Sequence, residues 1–172
     1  KKFELYNQET ITLDQIDLDD VSLTPNQALQ VQSEVEETSF VDIDQIRNFI
    51  SNLNYPLYYL DFETISPAVP IYNNSRPYQQ LVFQYSLHIQ SSPGSEITHK
   101  EYLADPKQDP RIGFVEQLIT ECGTYGDIIV YNIGFEKGKL KDLIELFPQY
   151  STQLTDIINR LKDLMIPFQQ KW

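Results

Sequence analysis

The chain has a single cysteine, Cys122, so no internal disulfide can form, and no other soft ligand accompanies it to suggest a zinc site. A reducing, cytoplasmic setting is the expectation. Also absent is any apolar run near the about 18 residues that a membrane span needs, and no basic start followed by an apolar stretch marks a signal peptide. Positive charge is scarce: 13 Lys and Arg stand against 25 Asp and Glu, a net of −12. That balance argues against a protein that coats nucleic acid by electrostatics alone, because such binding needs cationic side chains to replace phosphate counterions. The initiator Met is missing as well, which predicts a fragment.

What is present is enough for one good core. With 41% apolar and 12% aromatic residues in 172 positions, the chain is expected to form one domain plus an extension. The acidity is uneven. Residues 1–47 hold eleven acids against three bases, while the rest holds 14 against ten. Part of that remaining excess is what a set of metal-ligating carboxylates would leave, since a bound cation offsets it locally. Residues 1–40 mix short alternating stretches with acids and Gln and read as an acidic interdomain segment, whose few Val, Leu and Ile side chains either dock on the main domain or leave it disordered. The main domain is expected over 41–172.

From Asp42 the spacing of Ile43, Ile46, Phe49, Ile50 and Leu53 predicts a short amphipathic helix with an Asp cap. Leu57 to Phe62 is apolar, of strand length and preceded by turn formers, so it reads as a buried central strand. The stretch 65–80, broken by Pro67, Pro70 and Pro77, reads as a surface loop. Strands over 81–89 and 97–103 flank a Ser-Ser-Pro-Gly turn. A helix over 110–121 closed by Gly123, a strand over 128–131 and helices over 135–147 and 152–160 complete the order β-β-β-α-β-α-α, with no internal repeat. The fold class predicted is α/β, with a mixed sheet of three antiparallel strands followed by parallel strands and flanking helices.

Two acids separated by one residue at a strand end, Asp61 and Glu63, share a face because side chains alternate along a strand. Like charges so placed call for a counterion. Hard divalent cations such as Mg²⁺ or Mn²⁺ take carboxylate oxygens, and a pair of them about 4 Å apart supports phosphodiester cleavage. Asp-x-Glu alone is weak, but in Tyr58-Tyr59-Leu60-Asp61-Phe62-Glu63-Thr64 the acids lie in an apolar strand, where an unpaired charge is destabilising. In Ile128-Ile129-Val130-Tyr131-Asn132-Ile133-Gly134-Phe135-Glu136 a strand runs into a helix whose first turn carries Glu136. Asp61, Glu63 and Glu136 converge if the two strands are neighbours. Glu136 also reads as an ordinary acid favoured by a helix N-terminus.

Other residues have two readings each. Arg76, Gln79, Gln80 and Gln84 suit phosphate or base contacts, and Tyr72 or Tyr78 suits stacking on an unpaired base. Equally, a Pro-rich loop uses Arg and Gln side chains to satisfy its own backbone. Lys137 and Lys141, four apart on a helix, suit phosphate contact or, better, a solvated helix face, and His88 and His99 suit structural positions in strands. A buried network pairing Asp61 and Glu63 with Arg76 is a further reading.

The pieces Leu60-Asp61-Phe62-Glu63-Thr64, Arg76-Pro77-Tyr78-Gln79-Gln80, Phe83-Gln84-Tyr85-Ser86, Tyr131-Asn132-Ile133-Gly134-Phe135-Glu136-Lys137 and Asp163-Leu164 together resemble a bacterial family of domains of unknown function in the DEDD exonuclease superfamily. Members of that family usually lie downstream of a RecB-like PD-(D/E)XK nuclease domain in a longer protein. The resemblance spans Tyr55 to Phe168. It implies a ribonuclease H-like sheet and a two-metal Mg²⁺ or Mn²⁺ nuclease of 3'-5' exonuclease type acting on single strands or ends. In it Asp61 and Glu63 correspond to the first motif and Glu136 to the second, where Asp is usual. Asp163 is implied as a supporting acid on an edge strand, with Asn132 beside it. The last carboxylate of the quartet would lie on a helix beyond Trp172, so the resemblance implies a C-terminally incomplete site and little activity in this fragment. The competing expectation is a non-catalytic domain that positions nucleic acid or a partner for a neighbouring nuclease domain.

Overall fold

A computed structural model describes residues 2–18 and 23–169. The chain forms two compact units, one from residues 1–49 with 166–172 and the other from Ile50 to Met165. In the first, helices α1 (Lys2–Asn7), α2 (Pro25–Val35), most of α3 (Ile43–Ser51) and the short α7 (Ile166–Gln169) are present. The acidic 1–40 stretch therefore holds helices. α2 begins at a capping box, in which Thr24 Oγ1 accepts from Gln27 N at 3.3 Å and Gln27 Oε1 accepts from Thr24 N at 3.0 Å, with Pro25 at the first helical position.

The second unit is a mixed five-stranded sheet with helices. Its elements are β1 (Leu57–Ile65), β2 (Leu81–Gln90), β3 (Ile97–Leu103), α4 (Pro110–Cys122), β4 (Asp127–Val130), α5 (Gly134–Leu146), α6 (Ser151–Arg160) and β5 (Leu161–Asp163), in the spatial order β3-β2-β1-β4-β5. The β1–β2 and β2–β3 pairs are antiparallel, and β1–β4 and β4–β5 are parallel. The predicted strands and helices from 57 to 160 all form. Helices α1, α2 and α7 were not read from the sequence, and the strand β5 came only from the resemblance, as the edge strand implied at Asp163. β5 is only three residues long, too short to show a periodicity.

Alternation along β1 turns Tyr58, Leu60 and Phe62 into the core, where they meet Tyr85 and Leu87 of β2 and Phe114, Val115 and Leu118 of α4. Phe114 is the hub, with edge-to-face contacts to Phe62 at 5.0 Å, Tyr85 at 5.3 Å and Tyr102 at 5.8 Å between ring centroids. β4 is buried throughout, as expected of a strand flanked on both sides by parallel neighbours.

The turn from α4 into β4 is held by one side chain. Arg160, at the end of α6, donates to the carbonyls of Cys122 (3.1 Å), Gly123 (2.8 Å), Tyr125 (3.1 Å) and Gly126 (3.3 Å), and pairs with Asp156 at 2.9 Å. Gly126 must be glycine there, because its φ is +87° and a Cβ would stand 2.2 Å from the Pro56 carbonyl oxygen. No helix among the described residues is long and apolar enough to cross a membrane.

Candidate functional site

The same alternation that buries Phe62 sends Asp61 and Glu63 out on the opposite face of β1 with Tyr59, and both acids are exposed. This corrects the expectation that they are enclosed by the apolar strand. Only one face of β1 is core at that end, so water solvates both carboxylates. Residues directly opposite on an antiparallel partner share a face, which places Ser86 beside Asp61 and Gln84 beside Glu63. The register then slips between Glu63 and Thr64, so that Phe83 has no partner on β1. Such a bulge bends the strand and re-aims the side chains around it. The buried network with Arg76 is also overturned. Arg76 is exposed, and no ion pair joins it to Asp61 or Glu63.

Glu136 is placed by the turn between β4 and α5. Asn132 takes the left-handed conformation with φ +67°, and Phe135 N–H bonds back to its carbonyl at 3.1 Å. Asp163, at the end of the edge strand β5, accepts the N–H groups of Asn132 (3.0 Å), Ile133 (3.1 Å) and Met165 (2.9 Å). Its carboxylate is thus occupied with building the turn, while the Asn132 side chain remains exposed.

Helix α5 starts from that turn and carries Glu136 inward, where it is 2% exposed and its Oε2 has no hydrogen-bond partner. Burial pushes its pKa up to about 7. Its own backbone N–H opposes the rise, and the nearby charges of Asp61 and Asp163 add to it. Glu136 therefore lies within electrostatic reach of both Asp61 and Asp163, and Glu63 stands two residues along β1 on the same face as Asp61. Near neutral pH the buried Glu136 carboxyl is thus divided between its protonated and charged forms. Among the described residues, no group of three or more His, Cys, Asp or Glu side chains gathers in ligating geometry.

The residues read as nucleic-acid contacts separate into two places. Arg76, Gln79 and Gln80 line a cleft of about 320 Å³ together with Lys139 and Asp142 of α5. Gln84 lies instead beside Glu63. Gln79 does what a loop side chain was expected to do, accepting the Arg76 N–H at 3.1 Å. Tyr78 is 72% exposed with φ +59°, and its backbone is pinned by Pro67 O and Ser66 Oγ at 2.9 and 2.8 Å. Tyr72 faces the guanidinium of Arg111 at 5.8 Å and so has a partner already.

Arg111 lines the cleft and was not singled out from the sequence. The signal lay in Asp109-Pro110-Arg111, a helix start in which the cap carboxylate also faces an arginine. Lys137 and Lys141 are exposed on α5, and His88 and His99 stack across β2 and β3 with ring centroids 4.4 Å apart.

Fold and site together define an α/β domain with a mixed sheet, in which a buried Glu136 on α5 feels the charges of Asp61 on β1 and Asp163 on β5. The chain belongs to the family described as domain of unknown function DUF2779, whose model matches residues 58–172. It is 28% identical over 137 residues to the uncharacterized protein MG366 of Mycoplasma genitalium, covering 74% of this chain and 20% of that protein. It is 31% identical over 115 residues to the MG366 homolog of Mycoplasma pneumoniae, and 30% identical over 112 residues to the uncharacterized protein UU173 of Ureaplasma parvum. Each match covers 62% of this chain, and 17% and 16% of those proteins respectively. The chain thus spans about a fifth of the length of the curated relatives it matches. No solved structure matches.

Proposed function

We propose that this domain is a ribonuclease H-like module of DEDD type, a metal-dependent nuclease of 3'-5' exonuclease kind. The observation that supports the reading is Glu136. Its buried Oε2 is unpartnered and its carboxyl feels the Asp61 charge, so Glu136 is the acid here that a proton or a cation would satisfy. A sheet of three antiparallel strands followed by two parallel ones is also the arrangement the resemblance implies.

The orphaned oxygen fits a cation, whereas the described residues supply no closed set of three ligands. Asp61, Glu63 and Glu136 are the residues that would hold Mg²⁺ or Mn²⁺. Bound there, divalent cations supply activation of water and stabilisation of the leaving oxygen in phosphodiester hydrolysis. Asp163 acts through the backbone, setting where α5 begins and hence where Glu136 stands. Asn132 provides the left-handed turn. Arg76, Tyr78, Gln79, Gln80 and Gln84 are the proposed contacts to a single strand or a strand end. The much greater length of the relatives leaves room for the PD-(D/E)XK-like domain that the resemblance implies in the longer protein, and a cytoplasmic setting is part of the same proposal.

That no three-acid cluster gathers among the described residues favours a second reading, a non-catalytic domain that positions nucleic acid or a partner for a neighbouring nuclease domain. Calorimetric titration of Mn²⁺ separates the two. The expected result is saturable binding by a form of the protein extended through the next helical region, lost in its Asp61→Ala and Glu63→Ala variants at unchanged melting temperature, with cleavage of labelled single strands tested next. No binding by that extended form overturns the catalytic reading and leaves the positioning one.

A further inference from the structure

The cleft among residues 74–82, the start of α4 and the second half of α5 holds three cations in different states. Lys139 is neutralised, with its Nζ 2.7 Å from Asp142. Arg111 is only half used. Its side chain is 5% exposed; Nε donates to Asp109 Oδ1 at 2.9 Å, and Nη2 donates to Asp109 Oδ2 and to the Asn73 carbonyl, both at 2.6 Å. Nη1 is buried and has no partner. The third, Arg76, is exposed, and its guanidinium has no protein partner among the described residues.

A buried guanidinium nitrogen without an acceptor is a destabilising feature that native structures rarely keep without a use. Arg111 is also fixed from behind. Asp109 and the Asn73 carbonyl grip two of its nitrogens, and the Tyr72 ring lies 5.8 Å from its guanidinium carbon. A side chain so restrained loses little freedom when one more acceptor arrives. Two guanidinium groups lining one cleft suit an acceptor with several oxygens, and phosphate is the common group that offers them. Asp142 and Glu145 in the same lining disfavour a highly charged ligand, so a monoester or diester fits better than a polyphosphate. At about 320 Å³ the cleft stands at the small end of the range for small-molecule sites, about 300–1,000 Å³.

We infer that this cleft is a phosphate-binding site for a ligand of mononucleotide size, in which Arg111 and Arg76 donate to the phosphate oxygens and Gln80 lines the rim. None of the proposed metal-holding acids lines it. The phosphate site stands without the nuclease reading, and only the identity of the phosphate's carrier as nucleic acid rests on it.

The test is a ¹H–¹⁵N NMR titration in the presence of a chelator, with inorganic phosphate and with adenosine monophosphate as separate probes. Saturable shifts at the Arg111 Nε–H and at the Arg76 and Gln80 amides are expected, with the nucleotide binding more tightly than phosphate. Loss of one charge-assisted bond in Arg76→Ala is expected to weaken binding about tenfold or more. Because the Arg76 side chain is exposed and has no protein partner among the described residues, that variant is expected to keep the parent's melting temperature. Binding that persists in Asp61→Ala separates this site from the metal reading. No saturable shift with either probe, or binding undiminished in Arg76→Ala, overturns the inference. Phosphate and nucleotide binding equally overturns the assignment of ligand size.

Discussion

The carboxylate of Asp163 accepts the backbone N–H of Asn132 at 3.0 Å, across the gap between the edge strand β5 and the turn that launches α5. The same carboxylate takes the N–H of Ile133 and of Met165, so three main-chain donors depend on one side chain. Replacing it by alanine leaves them without that acceptor in a half-buried place. Asp163→Ala is expected to destabilise the protein by about 2–4 kcal/mol, and Asp163→Asn by less, since the amide keeps one acceptor oxygen. Urea unfolding at neutral pH measures both. A loss below about 0.5 kcal/mol in the alanine variant would mean that the turn does not rely on these bonds.

Glu136 gives a pH dependence whose sign follows from its burial. The folded state holds the proton up to about pH 7, while the unfolded chain releases it near the ordinary value of 4.5. Between these values the native state binds more protons, so stability falls as pH rises through the window and levels off above it. The effect is worth at most about 3 kcal/mol. Glu136→Gln, which cannot ionise, is expected to flatten that part of the profile and to be more stable than the parent at pH 8. Denaturant midpoints at pH 5, 6, 7 and 8 decide it. An unchanged slope in the variant would assign the dependence to another group.

How far the sequence anticipates this site depends on which interaction is local. Strand alternation puts Asp61 and Glu63 on one face, and the Pro110 and Gly123 punctuation marks the ends of α4. Which face of β1 is covered is a tertiary matter, decided by where α4 packs, and here the inference of enclosure fails. The exposure of Asp61 and the burial of Glu136 are opposite outcomes for two acids that look alike in sequence. Arg111 was missed for a similar reason. Its partners Asn73 and Tyr72 lie some forty positions away, joined only when the loop folds over the start of α4.

Arg160 offers a test of how much one side chain contributes to the sheet. Its guanidinium spreads over four carbonyls between Cys122 and Gly126, while Nε holds Asp156. Lysine has the charge but not the planar fork, and its single nitrogen cannot reach the same set. Arg160→Lys and Arg160→Ala are therefore both expected to destabilise by about 3 kcal/mol, the lysine rescuing little. Thermal unfolding by circular dichroism checks this. A lysine variant close to the parent would show that charge alone holds the turn.

The thiol of Cys122 connects this turn to a chemical readout. It is fully buried in the core, and burial pushes its pKa up to about 12. The Arg160 charge works against that rise and Glu121 adds to it. A protonated, inaccessible thiol does not react, because the thiolate is the nucleophile. Labelling by a thiol reagent at pH 8 is accordingly expected to wait for opening of the structure, and its rate to rise with added urea. Since Arg160 donates to the Cys122 carbonyl itself, Arg160→Ala is expected to speed labelling through easier opening, by about a hundredfold for a loss of about 3 kcal/mol. Prompt labelling of the native parent would place the thiol at the surface and contradict the packing of α4. Slow labelling of the parent with no acceleration in Arg160→Ala would show that Cys122 is released by some motion that leaves the turn at Gly123 intact.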